Sequence, residues 1–270
     1  MTVKLVDNLE NTIIENIREI PEVPISLLLS GGIDSSLILA LIRKVYPNLP
    51  ISTFTLAKSG DYPDIIYARE VAKLFNTRHN EIIISDREQK NFKDQYDKIR
   101  RYNFKGDVNV YILCSYAREY SRVIVTGDGG DECFGGYWLH ENPLGHKESG
   151  KIRSFEEIHP KAKMYLKEMF NMGFRDFLFK EKSQKEDYNT VWEYFIEIMA
   201  PQHLAPLLHT ASILQVEIYT PLFSKRLINF IRNLPYTKRV SRKIEKELAL
   251  LYLPKSIIER ESIGFDAVLR

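Results

Sequence analysis

Short apolar runs alternate with helical patterns in the first half of this chain, and that alternation restricts its fold more than any other feature. The runs lie at residues 25–29, 51–56, 81–84 and 123–126, and helical patterns lie between the first three at residues 37–42 and 63–75. Such runs are typical of strands that are buried on both faces of a parallel sheet. The alternation therefore predicts an α/β fold with a doubly wound parallel sheet, in which ligands bind beyond the carboxyl ends of the strands.

The chain divides into three predicted parts. Residues 1–20 carry apolar side chains on one helical stripe and predict an N-terminal helix. Residues 21–140 hold the α/β core. Residues 141–270 form the third part, in which residues 151–250 show mainly helical patterns, for example at 163–170 and 227–231, with no convincing strand. We therefore expect a C-terminal helical region that packs on the core and completes its site.

Composition argues against several functional classes. The chain has 270 residues, of which 44% are hydrophobic and 27% charged, and no apolar run approaches the ~20 residues that a membrane-spanning helix needs. The first residues mix acids into apolar positions and lack a small-residue cleavage site, so they do not predict a secretory signal, and we expect a cytoplasmic protein without a membrane partner. With 38 basic and 36 acidic residues the net charge is +2, which gives no reason to expect a nucleic-acid partner.

The cysteines and histidines do not predict a metal site. Cys114 and Cys133 lie far apart in the sequence and form no Cys-x-x-Cys pair, which argues against a disulfide framework or a zinc site. No two of the histidines considered share ligand spacing on one predicted element, which favours structural roles for His79, His140, His146 and His209.

A glycine pair and three serines follow the first predicted strand. This first loop reads Ser30-Gly31-Gly32-Ile33-Asp34-Ser35-Ser36 and leads into a helix. Glycines ahead of a helix N-terminus let several backbone amides approach one anion, and serine hydroxyls add further donors. The first loop therefore predicts a phosphate site, although it lacks the spacing of a Walker loop. Asp34 is either an acid favoured at a helix start or a ligand of Mg²⁺ beside the phosphates.

A second loop follows the fourth predicted strand and reads Thr126-Gly127-Asp128-Gly129-Gly130-Asp131-Glu132-Cys133-Phe134-Gly135-Gly136-Tyr137. Clustered carboxylates repel one another unless a cation lies between them, so three acids among five glycines are difficult to explain by packing. A flexible surface loop is the simplest alternative. The occurrence of both loops, each after a strand, favours one shared site.

The first loop resembles the PP-loop of ATP pyrophosphatases, which have a HUP-like α/β fold. The second loop closely resembles the Ser-Gly-Glu-Gly-x-Asp-Glu-x-Phe-Gly-Gly-Tyr loop of asparagine synthetases. Residues 54–56, 70–72 and 253–254, together with Arg260, also agree with that family. The similarity covers residues 20–140 well and residues 215–265 patchily, and it is to the synthetase part of the family without the glutaminase domain.

The resemblance implies a site that binds ATP with Mg²⁺. Asp34 and Asp131 match the family's magnesium acids, and Asp128 stands where the family has a glutamate linked to the ammonia step. The implied reaction joins a small-molecule carboxylate, such as aspartate, to the α-phosphorus of ATP, releases pyrophosphate, and then transfers ammonia to give an amide and AMP. The implied contacts to ATP are made by Leu28, Ser30, Gly31, Gly32, Asp34, Ser35, Ser36, Leu56, Thr126 and Gly127.

The resemblance also implies a catalytic cation near the C-terminus. Aligned from Leu253-Pro254, the family's active-site lysine falls on Arg242 and its following arginine on Lys246, which makes Arg242, Lys243 and Lys246 the candidates. Four-residue spacing predicts that the outer two share one helix face. Composition alone favours a solvated basic face instead.

Three departures put the aspartate substrate in question. The chain starts Met1-Thr2 and reaches the first loop by residue 30, so we expect free ammonia, or ammonia from a separate glutaminase subunit. Tyr219 and Ser224 stand where the family usually has Arg and Asp. The chain ends at Arg270, and Ser262 replaces a family lysine.

Other functions stay open at this stage. A ligase related to β-lactam synthetases would act on a different carboxylate, whereas a nucleotide-binding subunit would only support a glutaminase. A sulfur-transferring tRNA enzyme is disfavoured, because it would need reactive cysteines and a basic face. The sequence leaves a homo-oligomer open.

Overall fold

The computed structural model describes residues 2–100, 106–137, 140 and 192–260. Its strands are β1 (Ile25–Leu28), β2 (Ile51–Ala57), β3 (Arg78–Ile83), β4 (Val123–Val125) and β5 (Glu217–Tyr219). They form one sheet in the order β3-β2-β1-β4-β5, and every neighbouring pair runs parallel. The order reverses direction at β1, with β2 and β3 on one side and β4 and β5 on the other. In open α/β sheets such a reversal marks the crevice where ligands bind.

Helices connect and flank these strands. Those of the first half are α1 (Thr2–Ile17), α2 (Ile33–Val45), α3 (Pro63–Leu74), α4 (Asp86–Ile99), α5 (Asp107–Arg118) and α6 (Gly130–Phe134). Those of the second half are α7 (Ala200–Leu214), α8 (Lys225–Arg232), α9 (Tyr236–Arg239), α10 (Lys243–Ala249) and α11 (Lys255–Ile258), with a π-helical segment at Phe195–Met199 and a 3₁₀ turn at Val240–Arg242. Local signals explain several starts: α3 begins at a proline, and Ser85 and Glu88 form a capping box at the start of α4.

Hydrophobic layers cover both faces of the sheet. Successive side chains of a strand point to opposite faces. In β4, Val123 and Val125 join the cluster formed with α1, α2, α8 and α10, whereas Ile124 joins the cluster formed with α5 and the end of α7. The helical stripe of α1 is buried from Leu9 to Ile17, as its spacing predicts. The prediction of a doubly wound parallel sheet is therefore confirmed.

The C-terminal region differs from its prediction in one respect. No strand was expected there, but Glu217–Tyr219 forms β5 and pairs in parallel with β4. The strand is three residues long and only partly buried, so it lacks the apolar run that marks the other strands. The helix expected at 227–231 is confirmed by α8, whereas the pattern at 163–170 lies outside the described residues. The division at residue 140 stays a prediction.

The described helices include none with the length and apolar character needed to cross a membrane.

Candidate functional site

The two loops meet at the carboxyl ends of β1 and β4, on either side of the reversal in strand order. They are in close contact through Gly127. A Cβ atom at this position would lie 2.6 Å from the backbone nitrogen of Ser35 and 2.9 Å from the Cβ of Asp34. Only a glycine lets the two loops approach so closely. The prediction that both loops contribute to one place in the fold is confirmed.

The first loop is closed by hydrogen bonds among its own residues. The Ser30 and Ser35 hydroxyls lie 3.2 Å apart, and the backbone amide of Gly32 donates to the Ser30 hydroxyl at 3.2 Å. Gly31 has φ +69°, and a Cβ there would lie 2.4 Å from the backbone nitrogen of Ala68 in α3. The loop is thus packed against α3 as it enters α2. The hydroxyl oxygen of Ser36 is buried and without a hydrogen-bond partner.

The second loop keeps space for carboxylates. A Cβ at Gly130 would lie 1.7 Å from Oδ1 of Asp34, and a Cβ at Gly136 would lie 1.9 Å from Oδ1 of Asp131. The absence of side chains at these two glycines therefore sets the positions of both acids. Gly129 has φ +92° and lies against the side chain of Phe223.

One guanidinium lies between these acids. Nη2 of Arg242 donates to Oδ1 of Asp34 and lies 3.3 Å from Oδ1 of Asp131. Nε of Arg242 is 2.9 Å from Oε2 of Glu245, a fully buried residue in the first turn of α10. Burial alone would lower the pKa of Arg242, but Asp131, Asp34 and Glu245 raise it well above its ordinary value. Arg242 is therefore a permanent cation among three carboxyl groups.

The other two cation candidates lie elsewhere. Lys243 is exposed and Lys246 half-buried, and neither forms an ion pair with Asp34 or Asp131. The expectation that Arg242 and Lys246 share one helix face is wrong. Arg242 precedes α10 in a left-handed conformation with φ 60°, so it does not continue the helical spacing of Lys246.

Two acids of the second loop have raised pKa values. Burial raises the pKa of Asp131 to about 6, although Arg242 opposes the shift. Burial also raises the pKa of Asp128 to about 6, although a hydrogen bond from the Thr126 hydroxyl opposes it. The Asp128 side chain reaches solvent, so the protein around it removes only part of its hydration. Crowded acids of this kind favour a cation in the site.

A third acid of this loop has its own partners. The buried Glu132 carboxylate accepts a hydrogen bond from the Tyr137 hydroxyl at 2.7 Å and lies 2.7 Å from Nδ1 of His203. Burial raises the pKa of Glu132, but the bonds from His203 and Tyr137 reverse the effect and hold it below its ordinary value. The sequence interpretation omitted His203, because nothing local links α7 to the second loop. It also omitted Glu245.

A buried ion pair between Arg260 and Asp64 lies next to the first loop. Nη2 of Arg260 donates to Oδ1 of Asp64 at 2.8 Å, and the guanidinium lies over the Tyr67 ring at 5.1 Å. The same Nη2 atom would be 3.6 Å from a Cβ at Gly32. Arg260 therefore links α3 to the first loop, and only its agreement with the family pattern pointed to it in the sequence.

Three of the residues predicted to contact ATP, which lie outside the first loop, are largely buried. Leu56 and Thr126 are each 3% exposed, and Leu28 is half-buried at the end of β1. The backbone amide of Thr126 donates to the Tyr219 carbonyl at 3.1 Å, which extends the pairing of β4 with β5. Their contact with ATP stays a prediction.

Two of the departures from the family pattern have local explanations. The Ser224 side chain accepts a hydrogen bond from the Leu227 amide at 3.1 Å and caps α8, a role that Ser and Asp both perform well. The Tyr219 hydroxyl donates to Glu217 at 3.1 Å rather than to a loop acid. Ser262 lies outside the described residues.

The acids fit a magnesium ion that also binds phosphate oxygens. The described residues contain no group of three or more His, Cys, Asp or Glu side chains able to hold a metal ion by themselves. Mg²⁺ commonly takes only one or two carboxylates together with substrate phosphates. Asp34 and Asp131 are such a pair, and because Nη2 of Arg242 contacts Oδ1 of both, a metal ion would share these carboxylates with the guanidinium. Both cysteines are free and buried.

Comparisons with known proteins point to the same family that the second loop resembles. The family model described as Asparagine synthase matches residues 15–270. Two Methanocaldococcus jannaschii proteins named as glutamine-hydrolysing asparagine synthetases 2 and 1 are 34% identical over 129 residues and 26% identical over 273 residues. These matches cover 47% and 93% of this chain, but only 25% and 46% of the relatives.

A Bacillus subtilis protein named glutamine-hydrolysing asparagine synthetase 1 is 28% identical over 159 residues, which is 56% of this chain and 24% of that protein. Among solved structures, NMN synthetase from Francisella tularensis aligns with 88% of this chain and 96% of its own, at 18% identity and a TM-score of 0.36. The chain thus spans a half or less of the length of these curated relatives, and the match to the family model extends over both loops, Arg242 and Arg260. On that match, the chain belongs to the asparagine synthase family.

Proposed function

We propose that this chain is an ATP-dependent ligase that adenylates a carboxylate, releases pyrophosphate, and transfers ammonia to form an amide. The observation that carries the proposal is the convergence of the two loops. Asp34 and Asp131 come from the ends of different strands, and one guanidinium contacts both. Membership of the asparagine synthase family supports the same chemistry, with aspartate or a similar carboxylate as substrate.

The first loop would hold the phosphates of ATP. Its backbone leads directly into the N-terminus of α2, where amide groups and the helix dipole favour an anion. The buried Ser36 hydroxyl has no partner and could donate to a phosphate oxygen. Asp34 and Asp131 would hold Mg²⁺, which when bound neutralises charge on the phosphates and on the departing pyrophosphate.

Two further residues have proposed roles in the reaction. Arg242 would supply positive charge over the oxygens of the reacting phosphate, since its guanidinium stays protonated among three carboxyl groups. Asp128, with a pKa of about 6, is largely ionised at neutral pH and would accept a proton when ammonia attacks the acyl-adenylate. No protein nucleophile is needed.

The test is exchange of labelled pyrophosphate into ATP with a panel of carboxylates that includes aspartate. We expect exchange with at least one carboxylate, and we expect Asp34→Asn and Asp131→Asn each to lower it by about 10²-fold or more, the scale of a lost electrostatic contact in the transition state. Asp94→Asn, an exposed acid on α4, is the control and should exchange normally.

The outcomes distinguish the candidate functions. Exchange with aspartate supports an asparagine synthetase, whereas exchange only with another carboxylate supports a different amide ligase. Normal exchange in both loop variants would show that these acids do not hold the metal. No exchange with any carboxylate, despite ATP binding, would favour a nucleotide-binding subunit.

A further inference from the structure

Arg242 uses two edges of its guanidinium for different partners. The Nη2 atom faces the loops, where it contacts Asp34 and Asp131. The Nε atom lies 2.9 Å from Oε2 of Glu245, whose carboxyl group also interacts with Asp34. A guanidinium is planar, so a group that fixes the Nε edge also fixes the direction of the Nη edge.

The backbone conformation indicates that the surrounding structure determines the position of Arg242. Ser241 and Arg242 are consecutive residues with φ 55° and φ 60°. Left-handed conformations are unfavourable for residues other than glycine and persist only where the surrounding structure determines them. The residues that follow, Ile244 and Glu245, are both fully buried in the first turn of α10. The turn therefore places Arg242 beside Asp34 and Asp131, and the buried Glu245 lies next to its Nε atom.

The hydrogen bonding of the pair is incomplete. Nε of Arg242 and both carboxyl oxygens of Glu245 are buried and lack a well-aligned hydrogen bond, despite the 2.9 Å separation. Buried polar atoms of this kind are rare and need an explanation. The interaction that the structure shows at this edge is the 2.9 Å contact between Nε and Oε2.

We propose that Glu245 is a positioning residue for Arg242: it holds the Nε edge so that the Nη edge faces the phosphates of ATP. This inference rests on the proposed function. It does not depend on the ionisation of Glu245, because a carboxyl group accepts a hydrogen bond from Nε whether or not it carries a proton.

The test compares two substitutions at one position. Glu245→Leu keeps most of the volume but removes the acceptor, whereas Glu245→Gln keeps an oxygen in place. We expect Glu245→Leu to lower the turnover of pyrophosphate exchange by about tenfold or more, as loss of a partner that orients a site residue commonly does, with less change in the KM for ATP. Glu245→Gln should recover most of that loss.

Glu247→Leu is the matched control. It makes the same chemical change on the same helix, but Glu247 pairs with Lys238 at 3.0 Å, and neither residue contacts Asp34, Asp131 or Arg242. Equal turnover in Glu245→Leu and Glu247→Leu would overturn the inference. So would equal losses in Glu245→Leu and Glu245→Gln, because the acceptor oxygen would then have no role.

Measurements of Tm test the interaction of Glu245 with Arg242 without relying on catalytic activity. Removing Arg242 alone leaves the buried Glu245 carboxyl group without its cation, whereas removing both residues leaves only Asp34 and Asp131 in that state. We therefore expect the double variant Arg242→Met/Glu245→Leu to lose less in Tm than the sum of the single losses, and to fold even if Glu245→Leu alone does not.

Additive losses, or a double variant that stays unfolded, would show that the pair does not act as a unit. If the unsubstituted protein exchanges pyrophosphate with no carboxylate, the proposed function fails, and the comparison of Tm values still decides whether Glu245 holds Arg242.

Discussion

The two Gly-rich loops use glycine for opposite purposes. In the first loop, Gly31 has a left-handed backbone and lies against the backbone of α3, so its missing side chain lets two main-chain segments meet. In the second loop, Gly130 and Gly136 lie against the carboxylate oxygens of Asp34 and Asp131, so their missing side chains leave space for functional groups. Gly31, and Gly127 in the second loop, are needed for main-chain contacts, whereas Gly130 and Gly136 are needed to place the acids.

The difference separates stability from activity at neighbouring positions. A clash between a side chain and a backbone cannot be relieved without moving α3, whereas a carboxylate at the end of a flexible side chain can move aside. Substitution of Gly31 should therefore act on the whole fold, and substitution of Gly130 or Gly136 should act on the site.

Gly31→Ala should have the largest effect. The left-handed conformation costs about 1–2 kcal/mol for alanine, and the contact at 2.4 Å from the Ala68 nitrogen adds to that cost. We expect a loss of at least about 2 kcal/mol in the free energy of unfolding, measured by urea denaturation, together with a loss of exchange activity. Gly60→Ala is the control, because a Cβ there meets no atom within 4 Å. Equal stability of the two variants would contradict the proposed division.

Gly130→Ala and Gly136→Ala should lose activity without losing the fold. The new methyl groups displace the Asp34 and Asp131 carboxylates, and a misplacement of about 1 Å in a site can cost about 10²-fold in rate. The Tm should change little, since the carboxylates can rotate and alanine favours the start of α6. Pyrophosphate exchange and thermal unfolding measure the two effects. A large fall in Tm with normal activity per folded molecule would make the second loop resemble the first.

Asp128→Asn should have the smallest effect on stability, and that effect should depend on pH. The pKa of Asp128 is about 6 in the folded chain, above its ordinary value of 3.8, so the folded state binds the proton more tightly than the unfolded state. This group therefore destabilises the fold above pH 6, and the penalty disappears as the pH falls toward 3.8.

The variant lacks this charge, so its Tm should exceed that of the unsubstituted chain at pH 7.5, and the difference should shrink toward pH 4. Because the side chain reaches solvent, we expect less than about 1 kcal/mol. A difference that stays constant with pH would show that burial does not raise the pKa of Asp128.

The parts of the fold that could be predicted are those with local signals. The strands β1 and β4 are marked by apolar runs, and the loops after them by glycines and acids, so the meeting of Asp34 and Asp131 at one sheet edge followed from parallel topology. The strand β5 could not be predicted in this way, since it is short and is held mainly by pairing with β4.

The sequence predicted only those parts of the site that lie within one continuous loop. Alignment with the family found Arg242, but it could not separate that residue from its neighbours or predict the left-handed turn that carries it to the acids. His203 reaches the second loop through tertiary packing, which leaves no spacing pattern in the sequence. The contact of Glu245 with Arg242 depends on the left-handed turn that precedes α10, not on regular helical spacing. Charged residues at such positions look like ordinary surface residues until the fold is known.

The pairing of β5 with β4 has a consequence for synthesis on the ribosome. The two strands are neighbours in the sheet, yet β5 follows β4 only after a long stretch of chain. A newly made β4 therefore has one unpaired edge until β5 has been made. Unpaired strand edges can associate with other chains. Arg242 emerges later still, so both loops with their crowded acids precede the cation that contacts them. The nascent chain thus has a period in which its future site is a concentration of negative charge beside an unpaired strand edge, and only dissolved cations can screen that charge until Arg242 has been made.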